Sequence, residues 1–255
     1  MLLKLSLVAA SVLLSSLAAR RFGHAVAGAL AGMPMIAAPI MALLLFEHPA
    51  AHVRDIALAT LACAPAAVLH IVVFARCGTR WPWGACLGLS LGAFLSFGFL
   101  LAWADLPAWL VCLLAAVAPG LGLAAMPATC RRAGPVSIPL AELAFRVIAA
   151  MGMATTILVG AGILPAAASG LLLAVPITGS VLPAFTLPRH GAAATASLLA
   201  GFARGLHGFA SFFIALYVAL PHMHPAAAFV LALAVALAVA LFMYAARLRG
   251  KRQPT

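Results

Sequence analysis

Few side chains in this chain of 255 residues can do chemistry, and those that can lie inside apolar runs. Arg204 and His207 stand three residues apart in LLAGFARGLHGFASFF, residues 198–213. On a helix that spacing puts both on one face, a fixed cation beside a titratable donor, which suits the binding of an anion. The bland alternative is a structural pair buried between helices, where Gly201, Gly205 and Gly208 permit close approach. Glu142 and Arg146, in AELAFRVIAA, have the i, i+4 spacing of a helix ion pair. Glu142 is alternatively a proton carrier or the partner of Arg204. His70, in VLHIVVFA, is a hydrogen-bonded packing residue or a coupling group. Two apolar runs are also interrupted. Residues 174–183 read AVPITGSVLP, with Pro176 and Pro183 bracketing the hydroxyls of Thr178 and Ser180, and Pro34 and Pro39 interrupt an earlier run. Each proline deletes a helix hydrogen bond, and the freed N–H groups and carbonyls are able to hold a ligand if they face a cavity.

The elements that must position these residues are membrane helices. The chain is 66% hydrophobic and 7% charged, with a mean hydropathy of +1.20. A water-soluble domain of this length could not cover its surface with so few charges. Apolar runs of membrane-crossing length recur from end to end and predict nine spans, about 2–19, 24–46, 53–75, 83–103, 106–127, 138–161, 165–187, 193–219 and 225–246. Residues 1–19 could pass for a signal peptide, but Arg20 and Arg21 follow the apolar run rather than precede it. The five cysteines form no CxxC pair, and neither a metal nor a disulfide is expected of them. HExxH and Walker-type patterns are missing, so an intramembrane enzyme is the weakest reading, and no cofactor is implied.

The net charge of +11 does not call for nucleic acid, because the basic residues fall between spans and at the C-terminus. Arg20, Arg21, Arg76, Arg80, Arg131, Arg132, Arg189, Arg247, Arg249, Lys251 and Arg252 sort to one side. Only Lys4 and Arg54 sort to the other, together with Glu47, Asp55 and Asp105. That bias places the C-terminus in the cytoplasm and the N-terminus outside.

The chain also repeats itself. AVAGALAGMPMIAAPIMALLLFEHPAA, residues 25–51, aligns without a gap on AASGLLLAVPITGSVLPAFTLPRHGAA, residues 167–193, at an offset of 142. Gly28 meets Gly170, Pro34 meets Pro176 and His48 meets His190. The predicted fold is an all-α membrane bundle of two four-helix repeats, 1–103 and 138–255, joined by a helix and a basic loop over 104–137. Five crossings separate the starts of the two copies, so the second is inverted. Proline-interrupted segments at matching positions of inverted halves point to a midplane binding site.

The second copy, AASGLLLAVPITGSVLPAFTLPRHGAAATASLLAGFARGLHGFASFFIALY (residues 167–217), resembles the GlpM family of small four-helix inner-membrane proteins. The first copy shows the pattern more weakly, with PAAHVRDIALATL after its broken span. The resemblance implies a tandem, fused version of a unit that otherwise assembles as an inverted pair, in the bacterial inner membrane. It brings an envelope context, through that family's link to alginate production, and no catalytic residues. The function expected first is a small secondary transporter or flippase for an anionic small molecule or lipid head group. The alternative is an accessory subunit in envelope polysaccharide or lipid assembly. Partners would be membrane lipids, a second copy or an envelope-biosynthesis protein. The charge bias predicts that reporter fusions after Asp105 and after Thr255 report opposite sides of the membrane. The same side for both would exclude the nine-span topology.

Overall fold

The structure is a computed structural model that describes residues 24–127, 140–160 and 163–250, together with Ser6, Ala9 and Ala10. Among these residues every regular element is a helix. In chain order they are α1 (His24–Gly32), α2 (Ala37–Glu47), α3 (Ala50–Ala62), α4 (Ala64–Cys77) and α5 (Trp83–Trp103), followed by α6 (Ala108–Ala125), α7 (Leu140–Gly160), α8 (Ala166–Ala174), α9 (Ile177–Ala219) and α10 (Pro225–Gly250). Sequences this apolar become helices because a helix satisfies its backbone internally, without water. The chain is a helical membrane bundle.

The expected nine spans are not what the structure gives. Seven helical stretches among the described residues are long and apolar enough to cross a membrane. The expected span 2–19 lies outside the described residues. The expected spans 165–187 and 193–219 fall within one stretch, Ala166–Ala219. No loop separates them, because a single residue makes the turn. Gly191 has φ 78° and ψ 177°, a conformation that a side chain would disfavour. The chain folds back there. Gly179 and Phe202 would stand about 35 Å apart along a straight helix, yet a Cβ added at Gly179 would lie 3.0 Å from the Phe202 ring. α9 is thus a hairpin with a proximal limb, 177–190, and a distal limb, 192–219.

Helix bounds recur at the spacing of the sequence repeat. α1 shifted by 142 residues becomes α8 at both ends. The stretch Ala50–Cys77 shifted likewise becomes the distal limb of α9, and Trp83–Trp103 becomes Pro225–Ala245.

Small residues set the closest contact in the bundle, that of α1 with the distal limb of α9. A Cβ on Gly28 would overlap the Leu198 carbonyl and Phe202, and one on Gly32 would overlap the Phe202 carbonyl. From the other side, Gly201 lies on the Ala25 carbonyl and Gly205 on the Ala29 carbonyl. Partner numbers rise together, so the two segments run parallel. The spacing is a GxxxG pair on each segment, which lets backbones touch where lipid offers helices no hydrophobic drive to associate. The matching contact is made at the shifted positions, where Gly170 of α8 lies on Ala59 and Thr60 of α3. Behind these seams the core fills with Phe74, Phe94, Phe212, Phe213, Ile40 and Met41, all fully buried.

Gly205→Ala should destabilise the purified protein by about 1–3 kcal/mol, since the backbone it meets cannot rotate away. Gly92→Ala, which meets nothing within 4 Å, should stay within about 0.5 kcal/mol of the parent. Unfolding in mixed micelles compares the two, and equal effects would refute the close seam.

Candidate site where two broken helices meet

Both proline-interrupted runs do break, and they break in the same way. At the first, Met35 N–H donates to Met33 O at 2.7 Å across Pro34. At the second, Ile177 N–H donates to Val175 O at 2.8 Å across Pro176. Each is a three-residue turn centred on proline, and Pro176, with φ −79° and ψ 66°, has inverse γ-turn geometry. The cause is local. Proline has no N–H to give to the preceding turn, and it drives the residue before it out of the helical region; Val175 sits at φ −54°, ψ 119°. Gaps follow at Met33–Ile36, between α1 and α2, and at Val175–Pro176, between α8 and α9.

The two gaps face each other across one cavity of about 50 Å³. Its walls are both breaks, with Ala67 of α4 and Phe202, Leu206 and Phe209 of the distal limb. That volume admits roughly three water molecules. The Thr178 hydroxyl spans the crossing and donates to Ala31 O at 2.9 Å, a carbonyl in the last turn of α1. Other carbonyls of the gaps are engaged too: Leu30 O by Met33 N–H, Pro34 O by Ala38 N–H and Leu172 O by Val175 N–H. By contrast, the first N–H groups of α9 have no preceding helical turn to donate to, because the chain breaks at Pro176. The donor end of α9 therefore meets carbonyls of the gaps that are already engaged.

A second polar contact ties α4 to the proximal limb. Pro183 lies inside α9 and cannot donate to Gly179 O. His70, fully buried, places Nε2 3.4 Å from that carbonyl and 3.1 Å from the Ser180 hydroxyl. A protonated Nε2 serves as donor to both oxygens. Nδ1 of His70 has no hydrogen-bond partner. At the position shifted by 142 stands Phe212, also fully buried, and Pro183 corresponds to Met41. The histidine stands opposite the carbonyl that proline has exposed, and where the shifted position has no proline it has no histidine either.

Other expected site residues fall elsewhere. Pro183 does not bound the second gap and Pro39 does not bound the first; both sit within helices that resume after Pro176 and Pro34. Pro39 lies in the first turn of α2, where a missing N–H costs little. Arg204 does not line the crossing. It lines a separate groove of about 200 Å³ between α1, α9 and α10, beside Tyr244, and Nη1 donates to Ala200 O at 3.2 Å. Facing one way around the helix, Phe202, Leu206 and Phe209 reach the crossing, while Arg204 and Gly205 face the groove; Met33 lines both. His207 is turned back on its own helix, with Nδ1 3.2 Å from Ala203 O. Glu142 and Arg146 lie on α7, but their side chains are outside the described residues. Ala31 and Ala67 of the crossing were not expected from the sequence; an alanine that contributes only a carbonyl or a wall carries no signal of its own.

Fold and site together define a polytopic helical membrane protein in which two proline-broken helices meet at one cavity. Compared with protein-family models, curated proteins and solved structures, the chain matches none of them.

His70→Phe should leave Gly179 O without a donor and cost about 1–3 kcal/mol. Pro183→Ala restores the helix's own donor, so the same histidine change should cost clearly less in that background. Unfolding of the four proteins of this cycle measures the coupling, and additive effects would refute the link between His70 and Pro183.

Proposed function

We propose that this protein is a secondary transporter of a small anionic solute, with the crossing of the two broken helices as its binding site. The observation that carries this reading is the meeting of two like proline turns at one cavity, with the first turns of two helices opening onto it. The first turns of α2 and α9 both begin at the crossing, and each brings the positive end of a helix dipole. The cavity volume favours a small anion over a lipid head group as cargo.

The transporter reading includes an inverted repeat, four membrane spans to each half, with α6 as the joiner. Recurrence of the helix bounds at 142 residues supports the repeat. Its inversion is supported by the parallel run of α1 with the distal limb of α9. In copies of opposite topology, the proline-broken span of one and the span after it in the other point the same way. Copies of like topology would set these two spans antiparallel. Reciprocal contact of Gly28 with Phe202 and of Gly170 with Thr60 fits a two-fold relation. A fused pair of GlpM-like units in a bacterial inner membrane, with the C-terminus in the cytoplasm, is the setting this reading assumes.

The position of Arg204 favours a second reading, that of an accessory subunit in envelope assembly, since the fixed charge does not reach the crossing. Purified protein in liposomes, tested with chloride, nitrate, phosphate and acetate, separates the two. Flux of one of these anions is expected, and Thr178→Val, which opens the contact to Ala31, should lower it by roughly fivefold or more, the worth of one hydrogen bond. Flux of none of them, from protein shown to be folded and inserted, would overturn the transporter reading in favour of the subunit.

A further inference from the structure

A different cavity, larger and far from the crossing, lies where α4 ends and α5 begins. It measures about 530 Å³ and is lined by Arg76, Thr79, Arg80, Trp81, Cys77 and Pro127. Its shape follows from a tight turn. Arg80 N–H and Trp81 N–H both donate to Cys77 O at 2.9 Å, which turns the chain sharply after α4 and leaves two arginines and an indole around one hollow. Arg76 is held in place, with Nε donating to Ala125 O, the last residue of α6, at 3.0 Å. That bond occupies one of five guanidinium donors. Among the described residues no other acceptor engages the Arg76 guanidinium, and none engages that of Arg80. Among the described residues no carboxylate lines the hollow.

We propose that this hollow binds the phosphodiester of an anionic membrane lipid. Two guanidinium groups with available forked donors match phosphate oxygens in pairs. The level is that of lipid head groups, because α4 and α5 each belong to a membrane-length stretch and the hollow sits at their ends. Trp81 and Trp83, 51% and 48% exposed, carry the indoles that prefer this layer. Beneath it the outer face of α6 is apolar and open, with Val117 and Leu121 exposed, and gives acyl chains a path along the protein. A soluble phosphate would use the arginines but not that face. Basic hollows between membrane helices are a recurrent way of holding lipid head groups.

The test is native mass spectrometry of the full chain in detergent, titrated with phosphatidylglycerol, with phosphatidylcholine and with inorganic phosphate. Phosphatidylglycerol should be retained at concentrations about tenfold lower than either of the others, because the choline cation of phosphatidylcholine is repelled by the two arginines and inorganic phosphate has no acyl chains to lie along α6. Arg80→Gln should lower its retention about tenfold. That side chain bonds nothing among the described residues, so its loss should leave thermal unfolding unchanged. Arg76→Gln should lower both retention and stability, because it also releases α6. Arg189→Gln, an exposed arginine at the end of the proximal limb of α9 that does not line the hollow, should retain the lipid as the parent does. Equal retention of the two lipids, or an equal loss in Arg189→Gln, would overturn the proposal in favour of diffuse charge. Inorganic phosphate bound as tightly as the lipid would overturn it in favour of a soluble anion.

Discussion

In a membrane the polar backbone has nowhere to turn but to the protein itself, and that constraint governs every unusual feature of this bundle. A proline in an apolar helix frees a carbonyl one turn back and leaves a gap in the donor ladder. Here each freed group that can be traced meets a specific partner. The carbonyl exposed by Pro183 faces His70 and lies beside Ser180. The end of α1, broken before Pro34, receives the hydroxyl of Thr178 from the other broken helix. The two gaps are thus joined by a bond between them, not merely placed near each other.

Such contacts require backbones close enough for short side chains to reach. Thr178 is a short side chain, and it reaches Ala31 because α1 is drawn onto the distal limb of α9 by Gly28, Gly32, Gly201 and Gly205. The turn at Gly191 is the other condition. It folds the distal limb back beside the proximal one, so that Phe202, Leu206 and Phe209 wall a cavity whose opposite side is Thr178 and Pro176. Glycine therefore sets both the turn and the seam. Proline then decides where polar groups appear within the space they enclose.

Much of this was legible in the sequence, for physical reasons. Helices of membrane length follow from apolar runs alone, and the breaks at Pro34 and Pro176 follow from the chemistry of proline. What could not be read were contacts across the fold. Pro39 and Pro183 have the same chemistry as Pro34 and Pro176, yet helices run through them, since Pro39 falls in a first turn and Pro183 has His70 to meet its carbonyl. Periodicity put Arg204 and His207 on a plausible face but could not say which neighbour that face meets. The answer is a groove against α10, not the crossing. Nor could hydropathy show that a single glycine makes the loop between two expected spans.

Segments 142 residues apart share helix bounds but not residue types. Positions 142 apart pair His70 with Phe212, Pro183 with Met41, Thr178 with Ile36 and Arg204 with Ala62. In each pair one member is a polar side chain or a helix-breaking proline, while the other is a plain apolar residue. A frame kept for packing alone would gain nothing from this, because buried polar groups in lipid are costly and need partners. Apart from Arg204, these differences collect at the crossing or within one turn of it. His70 belongs to the first half, but it serves the second break, and Thr178 belongs to the second half but serves the first. The end of α1 and the carbonyl exposed by Pro183 are thus each met by a side chain from the other part of the chain. A substitution at either of these positions acts on the partner half's helix, and the crossing holds its shape only while both halves are docked.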